Sequence, residues 1–293
     1  MTLLRFALVS VLLLGSAALR ADDYADRQAR WHKARLDALT APDGWLSLIG
    51  LHWLELGDNT VGSASGNTVR LLAGPASFGT VRLSPDGTVH YQPDDAAVLI
   101  DQLPARPMEL NYLPGLRPTL VSSGTVSFQV IQRGPRIGLR VRDSEAATRR
   151  QFAGIPLYPL DPAWRLEADW QPYPEPRTVE ISNSIGQKLP ARLVGRAIFT
   201  HAGQTVELAA LDEGDELFFV FGDATNGEET YAACRFLYAD KPQNGKVILD
   251  FNRAINPPCA FTAFATCPLP PAGNRLPFPV RAGEMTPAGG PKH

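Results

Sequence analysis

The sequence lacks every short motif that would announce a chemistry. It has 3 cysteines and 5 histidines in 293 residues. With no C-x-x-C and no second Cys/His pair, a zinc site has no ligand set. No G-x-S-x-G, phosphate loop or dinucleotide fingerprint occurs. Gly62-Ser-Ala-Ser-Gly66 fails as a nucleophile elbow because Ala64 holds the central place. No cysteine precedes Cys234, which excludes a lipid-anchored lipoprotein. Beyond the N-terminus no stretch approaches 18 apolar residues, so no membrane-spanning helix is expected. Charge is balanced too, at 28 basic against 30 acidic residues, which favours neither nucleic acid nor an anionic membrane. Nothing calls for a metal or a cofactor.

What is present begins with an export pattern. Arg5 supplies a positive start, Phe6 to Leu14 an apolar run, and Ser16 to Ala21 small residues for cleavage after Ala21 or Ala18. Residues 1–21 therefore read as a signal peptide, and the mature chain as periplasmic or secreted. Loss of Arg5 and Arg20 would leave 26 basic against 30 acidic residues, a net charge of −4. In an oxidising compartment Cys259 and Cys267, eight residues apart, are the natural disulfide, and closing so short a loop would stabilise by about 2–3 kcal/mol. A reactive or metal-binding pair is the alternative. Cys234 reads as a small core hydrophobe.

The pattern after residue 21 is a helix and then strands. Residues 22–43 hold an amphipathic helix with Trp31, Ala34, Leu36 and Leu39 as candidate buried positions. From Trp45 onward short apolar or alternating runs are separated by Gly, Pro, Asn and Asp. Pro85-Asp86-Gly87, Gly134-Pro135, Asp212 to Glu216 and Asn226-Gly227 each read as a hairpin turn. Ser144 to Phe152 is a possible short helix with Ser144 as its N-cap. There is no βαβ alternation, so the fold class is mainly β: an antiparallel sandwich or barrel with an N-terminal helix and an irregular, proline-rich C-terminal strap. A β-sandwich-like part covers residues 44–155 and a second β part with the strap covers 156–293; one continuous domain is the alternative.

Candidate chemistry lies on three strands. In Arg136-Ile-Gly-Leu-Arg140-Val-Arg142-Asp143 alternation puts the arginines on one face and Ile137, Leu139 and Val141 on the other. Such guanidinia can hold a carboxylate or phosphate bidentately, or form a solvated face with cross-strand acids. An Asn226-Gly227 hairpin would set Asp223 opposite Thr230 and Phe218 opposite Arg235, placing Arg235 among aromatics. Asp250 and Asn252 share the polar face of their strand, with Asp250 a partner for Arg235 or Arg253. Asp223 with Glu229, or with Asp250, are the carboxylate pairs available for acid/base work. Tyr231 adds an aromatic with a polar tip.

The early Asp43-Gly-Trp-Leu46 and Gly50-Leu-His-Trp-Leu54, the mid-chain Gly138 to Asp143, Phe221 to Asp240, and Asp250 to Glu284 together resemble a bacterial and archaeal family known as domain of unknown function 1684, over nearly the whole mature chain. The resemblance brings no activity and no catalytic residues. Three readings follow: an exported module that binds a small anionic, sugar or peptide ligand; a hydrolase with an unrecognised carboxylate site; or a structural or assembly protein of the cell envelope. The first takes Arg140, Arg142, Asp143, Asp223, Glu229, Tyr231, Arg235, Asp250, Asn252 and Arg253 as candidate ligand contacts.

Overall fold

The computed structural model describes residues 23–289, so the expected signal peptide, residues 1–21, lies outside the described residues. Helix α1 covers residues 23–40. Eleven strands follow: β1 (Leu48–Trp53), β2 (Gly57–Gly62), β3 (Val69–Arg70), β4 (Gly79–Leu83), β5 (Val89–Pro93), β6 (Leu99–Ile100), β7 (Leu103–Pro104), β8 (Met108–Glu109), β9 (Val121–Ser123), β10 (Val126–Arg133) and β11 (Arg136–Asp143). They form two sheets, ordered β1-β11-β10-β9-β6-β7 and β3-β2-β4-β5-β8. Val61, Val81 and Tyr91 from one sheet and Phe128, Leu139 and Val141 from the other share a core, which makes this part a sandwich. Each fully buried Val, Leu or Phe contributes roughly 1.5–3 kcal/mol against exposure.

After helix α2 (Ala147–Arg150) come β12 (Arg165–Ser182), β13 (Lys188–His201), β14 (Gln204–Glu213), β15 (Glu216–Phe221), β16 (Arg235–Asp240) and β17 (Lys246–Asp250). They make one antiparallel sheet in the order β16-β15-β14-β13-β12-β17. Its two edges come together where Phe236 and Ile255 exchange backbone hydrogen bonds of 2.9 and 2.8 Å, giving a nearly closed barrel. Closure leaves few open edges to template unwanted pairing. The strap after β17 carries only short 3-10 turns and isolated bridges, as its prolines require. It lies over the barrel, with Leu276, Phe278 and Val280 packed into the barrel core.

Local turn chemistry explains which hairpins form as read. The Asp86 carboxylate accepts from Thr88 N at 2.9 Å inside the turn, and β4 pairs β5 with Leu83 opposite Val89. Arg133 pairs with Arg136 across Gly134-Pro135. The Asn226-Gly227 hairpin does not form. The Asn226 side chain accepts from Asp223 N at 2.7 Å, and Asp223 accepts from Thr225 N at 2.8 Å. These side-chain bonds divert the backbone from a two-residue turn into a broad loop. The register accordingly shifts: Phe218 faces Tyr238, Phe219 faces Leu237, and Arg235 faces Phe221.

Two helical expectations also change. Ala34 is exposed, and α1 instead buries Tyr24, Gln28 and Leu39. That inward stripe is partly polar because Asp250 waits opposite it. The short helix begins after Ala146, which makes no side-chain cap, rather than at Ser144. Asp143 takes the turn role, its carboxylate accepting from Glu145 N at 2.9 Å. No helix among the described residues is long and apolar enough to cross a membrane.

Candidate functional site

The structure sends the candidate residues to separate places. Arg235 is fully buried at the start of β16, paired with Asp223 at 3.3 Å and lying over the Phe221 ring. It donates to Val280 O at 2.7 Å and to Ala282 O, carbonyls of the strap. Asp223 also accepts from the Thr225 hydroxyl at 2.6 Å and from Val280 N at 3.2 Å. Burial pulls the Arg235 guanidinium below its ordinary range, while Asp223 holds it up. This group ties β15, β16 and the strap together and has no open face for a ligand.

Asp250 is similarly occupied. Tyr24 Oη donates to its two oxygens at 2.9 and 3.0 Å, and Gln28 Nε2 at 2.6 Å. Asn252 N adds a bond at 3.2 Å, and Arg253 Nε lies 3.9 Å away while donating to Gln28 Oε1 at 3.1 Å. Asp250, Asn252 and Arg253 therefore clasp α1 to the barrel. Glu229 accepts from Arg281 at 2.8–3.1 Å and from Tyr158 Oη at 3.1 Å. The carboxylates considered for acid/base work are each engaged by different partners.

The cysteines do not form the expected disulfide. All three are thiols, and Cys267 Sγ accepts a hydrogen bond from Cys259 N at 3.1 Å. The Cys259–Cys267 hydrogen bond holds Cys267 protonated well above its ordinary range, and burial does the same to Cys234. The strap is held instead by backbone pairing: Ser184 N donates to Cys267 O and Leu269 N to Ser182 O, each at 2.8 Å. Tyr231 is buried with its hydroxyl directed at Cys259 O, 3.5 Å away.

Among the described residues, buried side-chain polar atoms without a partner gather most densely on β11, at Arg140 and Arg142, while His32 Nδ1, Arg235 Nε and Asn256 Oδ1 are single cases elsewhere. Arg136 is exposed over the Trp53 ring, whereas at its Arg140 end the arginine face of β11 is covered by the barrel and the strap. A cleft of about 340 Å³ runs between them, with Arg133, Arg140 and Trp45 on the sandwich side and Tyr238 and Cys267 on the other. Arg140 is 7% exposed. Its guanidinium sits 5.2 Å from the Trp45 ring, and its Nε and Nη2 have no hydrogen-bond partner among the described residues. Burial, with Arg133 and Arg142 nearby, drives its pKa down to about 10.

Its neighbours are partly satisfied. Arg133 Nε donates to Thr266 Oγ1 of the strap at 3.0 Å, and Arg142 Nη1 to Gln129 Oε1 at 3.1 Å. Arg142 lies on the same strand face but does not line the cleft. Asp143 takes no part in it. The acid on the lining, Glu213, is exposed, and among the described residues no ion pair joins it to Arg140. Among the described residues no group of His, Cys, Asp and Glu could hold a metal ion.

Residues 150–285 match the model of a family described as "Protein of unknown function (DUF1684)". The chain belongs to the DUF1684 family. The match is shorter than the motifs led us to expect, since it excludes Asp43 to Leu54 and Gly138 to Asp143 and so every strand of the sandwich. The chain is also similar to an uncharacterised protein of Haloarcula marismortui solved in solution by NMR. It is 32% identical over 47% of this chain and 79% of that one, with a TM-score of 0.40. No curated protein matches. The Arg235 group falls wholly inside the DUF1684 segment. The cleft does not: Tyr238, Thr266 and Cys267 come from that segment, Trp45, Arg133 and Arg140 from the sandwich before it.

Two measurements test these assignments. Asp223→Ala leaves the Arg235 charge buried without its acid and is expected to cost about 3–5 kcal/mol in urea unfolding; a loss below about 1 kcal/mol would contradict the structural role. Tyr24, raised to about 12 by burial and by Asp250, favours folding fully below the unfolded tyrosine value of about 10. That contribution is lost as pH rises through the folded value. Tyr24→Phe should start less stable and lose less between pH 9 and 11 than wild type, and equal slopes would refute the clasp.

Proposed function

We propose that this protein is an exported module that binds a small anion in the cleft between sandwich and barrel. The observation that carries the reading is Arg140, 7% exposed with Nε and Nη2 unpartnered among the described residues. Burying a charge without a hydrogen-bonded counter-charge costs several kcal/mol in real proteins. A fold tolerates such a cost most readily where a ligand supplies the missing charge. Nε and Nη2 form the side-on fork of a guanidinium, which matches two oxygens of one acceptor. Trp45 covers the cation and Thr266 anchors Arg133, so the donors are held in place before any ligand arrives. Export is supported by the charge, apolar run and small residues of the first 21 positions.

Binding is favoured over hydrolysis because Asp223, Glu229 and Asp250 are each engaged in ion pairs or hydrogen bonds with different partners. An envelope assembly role has no comparable observation behind it. The test is Arg140→Met, which keeps the stem and removes the charge. Without ligand the variant should melt at or above the wild-type temperature, since an uncompensated buried cation is gone. Wild type should gain stability as anion is added, following RT ln(1 + [L]/Kd), and the variant should not. A free variant that melts more than about 5 °C lower, with anions stabilising both chains equally, would overturn the proposal.

A further inference from the structure

Resting on that anion site, we infer that its ligand is a carboxylate carrying a planar aromatic body. The cleft is much larger than an oxyanion. At about 340 Å³ it has room for roughly ten waters at ~30 Å³ each, whereas a carboxylate group needs a small part of that. One wall of the remainder is aromatic, beside Ile255, Pro258 and Pro268. Phe218 stacks on Tyr238 with centroids 4.7 Å apart and planes at 12°, and meets Phe236 edge-on at 4.8 Å. All three line the cleft, on the wall formed by β15 and β16, and Tyr238 is still 37% exposed. A flat ring laid along this wall would bury apolar surface on both partners and gain the geometry-specific attraction of offset rings.

The charged end selects for a single negative charge in a planar group. Arg140 offers one free fork, Nε with Nη2. The other two arginines on the lining are engaged: Arg133 spends Nε on Thr266 Oγ1 and Nη1 on Gln132 O, and Arg35 spends Nε on Glu284 Oε1 and Nη2 on Asn256 O. One fork suits the two oxygens of a carboxylate, while a phosphate dianion would leave an oxygen and a charge unmet in a half-closed site. Exposed Glu213 among the lining residues also disfavours a second negative charge.

The experiment is calorimetric titration of the purified full chain with 2-naphthoate, acetate, inorganic phosphate and the neutral 2-naphthamide. Naphthoate is expected to bind at least tenfold more tightly than each of the other three. Tyr238→Ala should lose at least tenfold in naphthoate affinity and leave acetate unchanged, with an unaltered circular dichroism spectrum confirming its fold. Acetate or phosphate binding as tightly as naphthoate would refute the aromatic body and leave the anion site standing. Naphthamide matching naphthoate would refute the carboxylate. If no anion binds and Arg140→Met behaves as wild type, the anion site and this inference fail together.

Discussion

The structure depends on one buried cation. Arg235 occupies the start of β16 with no exposure and holds Asp223 on one side and strap carbonyls on the other. A guanidinium is the side chain that can do this, because its five donors lie in fixed directions and stay charged even when dehydrated. Its position forces several other features. The loop after β15 must curl so that Asp223 turns inward, held by Asp223 N donating to the Asn226 side chain and by Thr225 N donating to the Asp223 carboxylate. The strap must present Val280 and Ala282 to the same point, so a chain with almost no regular structure acquires a fixed path. Once fixed, it delivers Thr266 and Cys267 to the far side of the barrel.

There the strap meets the arginine face of β11. Arg133 reaches across to Thr266, and the cleft opens beside that contact. The two arginine sites are chemical opposites. Arg235 has an acid and three carbonyls within reach, and it behaves as framework. Arg140 has an aromatic ring beside it and two nitrogens without a partner among the described residues. Both are buried, but among the described residues Arg235 leaves only Nε without a partner and has an acid beside it, whereas Arg140 leaves Nε and Nη2 without one. That difference separates a structural charge from a candidate binding charge.

Much of the architecture was legible because it is local. Pro85-Asp86-Gly87 and Gly134-Pro135 encode their turns within a few residues, and the alternation of Ile137, Leu139 and Val141 states which face is core. Asn226-Gly227 misled for the opposite reason: the dipeptide suits a tight hairpin, but the Asn226 side chain accepts from Asp223 N and the Asp223 side chain from Thr225 N, so side chains set the loop. The inward stripe of α1 was hidden because Tyr24 and Gln28 are buried as hydrogen-bond donors to Asp250, not as hydrophobes. Cys259 and Cys267 have the spacing of a bridge, yet a backbone amide occupies the sulfur. Arg140 was visible as a candidate. That Arg133, Trp45 and Tyr238 surround it depends on how the barrel docks, and no local spacing encodes docking.

The central claim is that Arg140 is buried in readiness for an anion. A crystal structure of the protein soaked with a heavy-atom-labelled aryl carboxylate, such as 4-iodobenzoate, addresses it directly. The account predicts carboxylate density within hydrogen-bond distance of Arg140 Nε and Nη2, with the iodine against the Phe218 and Tyr238 wall. Arg140 paired instead with a protein carboxylate, and the ligand absent or bound elsewhere, would contradict it.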